Sequence, residues 1–434
     1  MNNNTFLYRV GLNPKNFINQ DIEPIKTDDG LLYLIEERKD IRICPYCNNI
    51  NKNEIKKYYN KIINVSTNTN MKETIQIKRV PFICKNCKKT FTNELEGIEN
   101  HNTISEFIKN QIIHDFRQKL TFKQIAEKYH ISIGMTIKLC DEQVTITPTG
   151  HLPKVLCIDE YHFETSKDSK YICVLIDYET RTVFDIIQSR LKAYLEEYFN
   201  RFNSKELERI KYFCSDLYDE YAHIKRKYFP KAIHIADKFH VIKQMTTIVN
   251  MLRTRVMNKI VEYKSKEYNF MKKNWKLFLK RKEDIPNKTY YHQTTGIETS
   301  YEDLVFNCIK LNEHFSKAYN VLQDLYKYSN KTTYTEATEF IRFIYERLRL
   351  STLDELVKVG NTFYKWRHEI ANSFARNATG YNISNGIAEN MNNHIATIIK
   401  IAYGYSNYER FRKRVLLICK YNKISLKFLY TFYL

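Results

Sequence analysis

Five short apolar runs between residues 154 and 237 constrain the fold of this chain more than any other feature. They read "KVLCID", "YICVLID", "TVFDIIQS", "IKYFCSD" and "AIHIAD". Each has the length and the apolar density of a buried strand. The helical patterns "LKAYLEEYFNRF" and "LYDEYAHIKRKYF" separate the third run from the fourth and the fourth from the fifth. Three strands joined by short links imply antiparallel pairing. Strands separated by helices imply parallel additions to the same sheet.

That mixed order is the ribonuclease H-like arrangement, so the expected fold class is α/β with this domain as its catalytic core. Asp159 ends the first run and Asp216 the fourth, and the arrangement makes those two strands neighbours. A lone Asp at a strand end serves as well in a turn or a helix cap. Two at these particular ends can share a divalent metal, and carboxylate oxygens suit Mg²⁺ or Mn²⁺. Asp177, Asp185 and Asp237 also follow strand-like residues, with Asp177 expected to serve the turn "DYETR".

Upstream, "CPYC" and "CKNC" supply Cys44, Cys47, Cys84 and Cys87. Two such knuckles can bring four thiolates to one tetrahedral structural zinc, and the polar stretch between them reads as a hairpin. Residues 1–100 are therefore expected to form a zinc-ribbon-like module. With ten cysteines and no secretory leader in evidence, a reducing cytoplasm is the expected compartment. The other six cysteines lie singly in apolar segments and read as core.

Residues 101–150 carry helical periodicity and then "LTFKQIAEKYHISIGMTIKLCDEQ", two short helices about a tight turn. Ala126 lets the helices approach, Ile131 anchors the turn, and the second helix would be the recognition helix of a helix-turn-helix domain. The expected DNA contacts are Lys123, Gln124, Ser132, Thr136 and Lys138. A formal charge of +20 (Lys+Arg 69, Asp+Glu 49) favours a polyanionic partner. No apolar run approaches the ~20 residues of a membrane span.

Residues 151–244 hold the first part of the catalytic core, and 245–380 read as an all-helical insertion. Residues 381–434 return to the core with "SNGIAENMNNHIATIIKIAYGYSN". Ser384 or Asn385 is the expected cap of that helix. Ile387, Met391, Ile395 and Ile398 form its apolar stripe, and Glu389 lies off the stripe. A Glu in a first turn suits the helix dipole, so its local role could be capping. It could equally be the third carboxylate of the metal site.

The segments "IDEYHF", "SDLYDEYA…FPKAIHIADKFHV" and "SNGIAENMNNHIATIIKIAYGYSNYERFRKRVLL" resemble the ISL-three family of insertion-sequence transposases along essentially the whole chain. The resemblance implies a DDE enzyme whose catalytic acids are Asp159, Asp216 and Glu389. It also implies binding to the terminal inverted repeats and target sites of double-stranded DNA, divalent-metal strand cleavage and transfer, and a homodimer or larger assembly on DNA. His240 also matches the family. The chain departs from it in keeping only Lys400 between the Asn-Asn pair and Tyr403. A DNA-binding regulator and a structure-specific nuclease or resolvase are the competing readings.

Overall fold

The computed structural model describes the chain except residues 1–2, 19–21, 40–42, 51–52, 99–102, 147–150, 164–168, 262–264, 293–295, 329–332, 376–382, 384–385 and 421–434. The expected caps Ser384 and Asn385 lie outside the described residues. The chain divides into two compact units, residues 1–147 with 394–434, and residues 148–393.

In the second unit the strands Val155–His162, Tyr171–Asp177, Thr182–Ile187, Tyr212–Ser215 and Ile233–Ala236 form one sheet. Their spatial order is third, second, first, fourth, fifth. The first three pair antiparallel, and the fourth runs parallel to both the first and the fifth. The helices Lys192–Phe199 and Asp219–Tyr228 pack against Leu156, Ile158 and Phe213 of the sheet. Side chains alternate along a strand. Asp159 therefore faces away from that helical layer, as does the position of Asp216 just past the fourth strand. Cys157 is aligned with Cys214, and two residues further on the same register brings Asp159 level with Asp216. Asp177 serves the turn as expected, accepting hydrogen bonds from the backbone of Glu179 and Thr180.

The fifth strand leads straight into the helix Lys238–Lys259, capped by Asp237, whose Oδ1 accepts from the Phe239 backbone N–H at 3.1 Å. This helix runs unbroken through residue 245, so the expected domain edge there is no edge in the structure. Helices from Lys266 to Phe374 then bury one large apolar core that includes Phe270, Phe315, Ile341 and Phe363. Contrary to expectation, the insertion is not all helical. Thr289–His292 pairs antiparallel with Ile297–Ser300 in a two-stranded hairpin. Their short sequences, TYYH and IETS, lack the apolar alternation that would have marked a hairpin.

The first unit holds two small sheets and a helical cluster. Ile25–Thr27, Gly30–Glu36, Lys72–Arg79 and Tyr59–Asn64 form the four-stranded sheet in that spatial order. Gly30 has φ 143°, and a Cβ there would lie 2.0 Å from the Lys72 carbonyl oxygen, so only glycine fits. Asn53–Ile55, Pro81–Cys84 and Thr90–Thr92 form the three-stranded sheet. The helices Glu106–Asp115, Phe122–Lys128 and Ile133–Gln143 share a core of Ile108, Ile112, Ile125, Tyr129 and Leu139. Ala126 is buried and Ile131 packs against that core.

A fourth helix, Tyr408–Cys419, completes this cluster. Its Leu417 joins the same core. Arg414, 2 % exposed, donates to the carbonyl oxygens of Phe116, Gln118 and Leu120. Arg410 grips both carboxylate oxygens of Asp141 at 2.8–2.9 Å. Residues 394–434 thus belong with the first unit, and the expected single segment 381–434 is divided within the helix Gly386–Ile401. Among the described residues no helix is long and apolar enough to cross a membrane.

Candidate active site and structural metal centre

The four knuckle cysteines sit on two copies of one local turn. Cys44 N–H donates to the Asn49 carbonyl and Asn48 N–H returns to the Cys44 carbonyl. Cys84 with Lys89 and Lys88 repeats both bonds. The residue after each second cysteine, Asn48 at φ 57° and Lys88 at φ 61°, adopts the left-handed conformation that closes the turn. The sulfurs of Cys44 and Cys87 are 3.6 Å apart, and those of Cys47 and Cys84 are 3.5 Å apart. All four sulfurs lie within 4.8 Å of one another. Sulfurs bound tetrahedrally at about 2.3 Å from zinc would be ~3.8 Å apart, so the cage fits that ion. A hydrogen bond from the Asn49 backbone, followed by one from Asn86, holds the Cys47 thiol down at about 6, toward the thiolate that binds metal. The Lys89 backbone also pulls on Cys87, but desolvation and the neighbouring sulfurs outweigh it and push that thiol up to about 11. Cys140, Cys157, Cys173, Cys214 and Cys308 are buried, as core residues should be, with Cys157 and Cys214 facing each other across adjacent strands, and Cys419 is half-buried.

The carboxylate site is assembled differently. Asp159 is 9 % exposed, and its carboxyl is pushed up to about 7, first by burial and then by the negative charge of Asp216. The Asn392 amide donates to Asp159 Oδ2 at 2.7 Å. Behind the fifth strand, Asp237 Oδ2 lies 2.6 Å from His240 Nδ1, and Asp216 Oδ1 lies 2.7 Å from the same nitrogen. Burial alone would lower the His240 pKa. Hydrogen bonds and charge from Asp216 and Asp237 outweigh it and hold the imidazolium up to about 10. The Nδ1–H is shared between the two carboxylates, at 2.6 Å from Asp237 Oδ2 and 2.7 Å from Asp216 Oδ1. Asn392 Oδ1 is buried and unsatisfied. An unsatisfied amide oxygen beside coupled carboxylates is a donor set suited to a hard divalent cation.

An open cleft of about 500 Å³ lies over this cluster, lined among others by Glu160, Arg190, Asp216, His240 and Lys243. Arg190 is tied to Glu160 at 2.6 Å, and Tyr221 O–H donates to the other Glu160 oxygen at 3.1 Å. The structure brings Asp159 and Asp216 together as the strand order requires. Glu389 is exposed on its helix, one turn before Asn392 and on the same side. Among the described residues, ligand atoms of Asp216, Asp237 and His240 lie within 4.8 Å of one another. The sequence pointed to His240 only through the family match and gave Asn392 no role. The run "ADKFHV" held the signal for Asp237 and His240, because Asp and His three apart share a helical face.

Of the expected DNA contacts, Lys123, Gln124, Ser132 and Lys138 are exposed on the helical cluster. Thr136 is a correction. It is fully buried and its hydroxyl donates to the Ser132 carbonyl, so it presents nothing to DNA. Gln124 and Ser132 already have structural work. The Gln124 side chain closes a capping box with Thr121, and Ser132 caps the second helix by accepting from the Met135 N–H. Lys123 and Lys138 make only loose surface pairs with Glu127 and Glu142, at 3.8 and 4.0 Å.

A family model for transposases, of the DDE class and ISL-three type, matches residues 156–415. No curated protein matches the chain.

Proposed function

Because the chain belongs to the ISL-three family of transposases, we propose that it binds the terminal inverted repeats of an insertion sequence and catalyses metal-dependent cleavage and transfer of their strands. The observation that carries this reading is the pairing of Asp159 with Asp216. Asp159 lies on one, and Asp216 just past the other, of two adjacent parallel strands of a 3-2-1-4-5 sheet, which supports a ribonuclease H-like core, and burial followed by the charge of Asp216 raises the Asp159 carboxyl.

Asp159, Asp216 and Glu389 would hold Mg²⁺ or Mn²⁺, with Asp237 as the alternative third acid because it already lies against Asp216 and His240. When bound, such ions activate a water or 3′-hydroxyl and stabilise the leaving oxygen of an in-line displacement. Asn392 orients Asp159 by its 2.7 Å hydrogen bond, and Asp237 orients His240. Arg190 and Lys243 set positive charge along the cleft, where a DNA phosphate would lie.

The helical cluster of the first unit would dock the repeats, with Lys123 and Lys138 on phosphates and exposed Ile133–Gln143 residues in the groove. The four cysteines would hold zinc as a structural ion. Two ends must be joined, so the DNA-bound form is expected to be a homodimer or larger, acting on chromosomal DNA in the cytoplasm. The test is nicking of terminal-repeat duplex in Mg²⁺ by wild type and by Asp159→Asn. Equal nicking by both would overturn the reading.

A further inference from the structure

The turn "AYGYSN", residues 402–407, joins the helices Gly386–Ile401 and Tyr408–Cys419 within the first unit. It is tied down on both sides. The backbone N–H groups of Ala402, Tyr403 and Gly404 donate back to Ile398, Lys400 and Ile399. Asn407 caps the following helix by accepting from the Arg410 N–H at 3.0 Å. Tyr405 is turned inward, against Phe411 at 5.6 Å between ring centroids. Tyr403 is turned outward. It is 97 % exposed, far above every other large apolar side chain described, and it holds φ 55°. A bulky residue in the left-handed region is costly, and the tethered turn keeps it there.

Beside this ring is a cavity of about 290 Å³, lined among others by Phe122, Lys123, Ile137, Tyr405, Ser406 and Arg410. Phe122 and Lys123 open the first helix of the helix-turn-helix pair, and Ile137 lies on the second. The cavity has apolar walls, a hydroxyl, and two cations at its rim. Arg410 is held by Asp141, whereas the Lys123 ammonium makes only its loose pair with Glu127. Paired bases in a duplex offer their edges to a protein and hide their faces. A single exposed ring with one hydroxyl reads edges poorly and stacks well on a base that has left the helix.

We propose that Tyr403 and this cavity form a nucleobase-binding site, in which one base extruded from the transposon-end duplex is stacked against the Tyr403 ring while Lys123 holds its phosphate. The proposal rests on the reading that the first unit binds terminal-repeat DNA.

The test uses the full chain and terminal-repeat duplexes in which each base in turn is left unpaired opposite an abasic position. Leaving the extruded base unpaired removes the cost of breaking its pair. Wild type binds one of these duplexes about tenfold tighter than the fully paired repeat, the scale of one base–aromatic stack. Tyr403→Ala loses that preference and binds the paired repeat within two- to threefold of wild type, while Tyr403→Trp keeps it. Equal binding of every unpaired duplex by wild type, or an undiminished preference in Tyr403→Ala, overturns the site while leaving repeat recognition standing. Failure of wild type to prefer the paired repeat over unrelated duplex overturns the parent reading, and this site with it.

Discussion

The two candidate metal sites are built on opposite principles. The cysteine cage repeats one turn twice, and each turn sets its own pair of sulfurs, so only the two knuckles have to meet. The acidic cluster draws on two neighbouring strands, the start of a helix at Asp237 and His240, and a second helix at Asn392. Thiols can be neutral and wait together. Carboxylates repel, and here Asp159 is held toward its protonated form while an imidazolium stands between Asp216 and Asp237. A structural ion can therefore be given a finished cage. A catalytic ion, if the acids hold one as proposed, would meet a site whose charges are balanced provisionally, with Glu389 exposed on its helix.

The largest effect that could break this contrast is removal of zinc. Wild type should carry one zinc per chain, and Cys84→Ser should carry none. Because structural zinc affinity of ~10–16 kcal/mol is also folding free energy, hydrogen exchange should show the three-stranded sheet opening in the variant. Protection unchanged in a zinc-free protein would show that the cage needs no ion.

Next come the acids. Asp159→Asn, Asp216→Asn and Glu389→Gln should each lower nicking by about 10³-fold or more, since a catalytic metal supplies several kcal/mol. Folding and repeat binding should be unchanged, and double variants should add little. Near-normal nicking by Glu389→Gln together with loss in Asp237→Asn would move the third acid to Asp237. Asn392→Ala tests the support around Asp159. It should weaken activity about 10- to 100-fold, as loss of a ligand-orienting partner does, and higher Mg²⁺ should recover part of it. Loss that no Mg²⁺ concentration relieves would point to a ligand role for the orphaned Asn392 oxygen.

The smallest effect concerns His234, the neutral counterpart of His240. It is buried on the fifth strand, 2.8 Å from Ser215 Oγ. Burial first, then Lys225 and Arg226, lower its pKa from 6.5 to about 3, while Glu369 stands 3.8 Å away. Its folded pKa is depressed, so the unfolded chain takes up a proton that the native one refuses. This contribution is fully present above pH 6.5 and is lost as pH falls toward 3. The urea-derived stability of the second unit should drop by about 2 kcal/mol between pH 7 and pH 5. His234→Asn should flatten that slope, and an unchanged slope would mean His234 is protonated in the native state.

Much of the second unit was legible because its strands are uninterrupted apolar runs, although the first continues past Asp159 to His162 while Asp216 does follow the fourth. The knuckles were legible because their chemistry is local. Other features depend on distance or orientation. Asn392 reaches Asp159 across 233 residues, and nothing in its own neighbourhood distinguishes it from Asn393. Thr136 looked like a recognition-helix contact until the helix rotation buried it. Arg414 reads as surface charge in "RFRKRVLL", yet three carbonyl oxygens satisfy its guanidinium inside the first unit.

That last placement also bears on synthesis. Lys413, which donates to the Asp141 and Cys140 carbonyls, is made 273 residues after Cys140. At ribosomal rates this is on the order of tens of seconds. Throughout that interval the three helices stand without the one that covers Leu139, and the carbonyl oxygens of Phe116, Gln118 and Leu120 wait in water. A message broken anywhere between codons 148 and 393 would yield a chain whose first unit lacks its fourth helix. If that unit docks the repeats as proposed, truncated copies of the element would be poor competitors for its own ends, and full-length translation would act as a checkpoint for repeat binding.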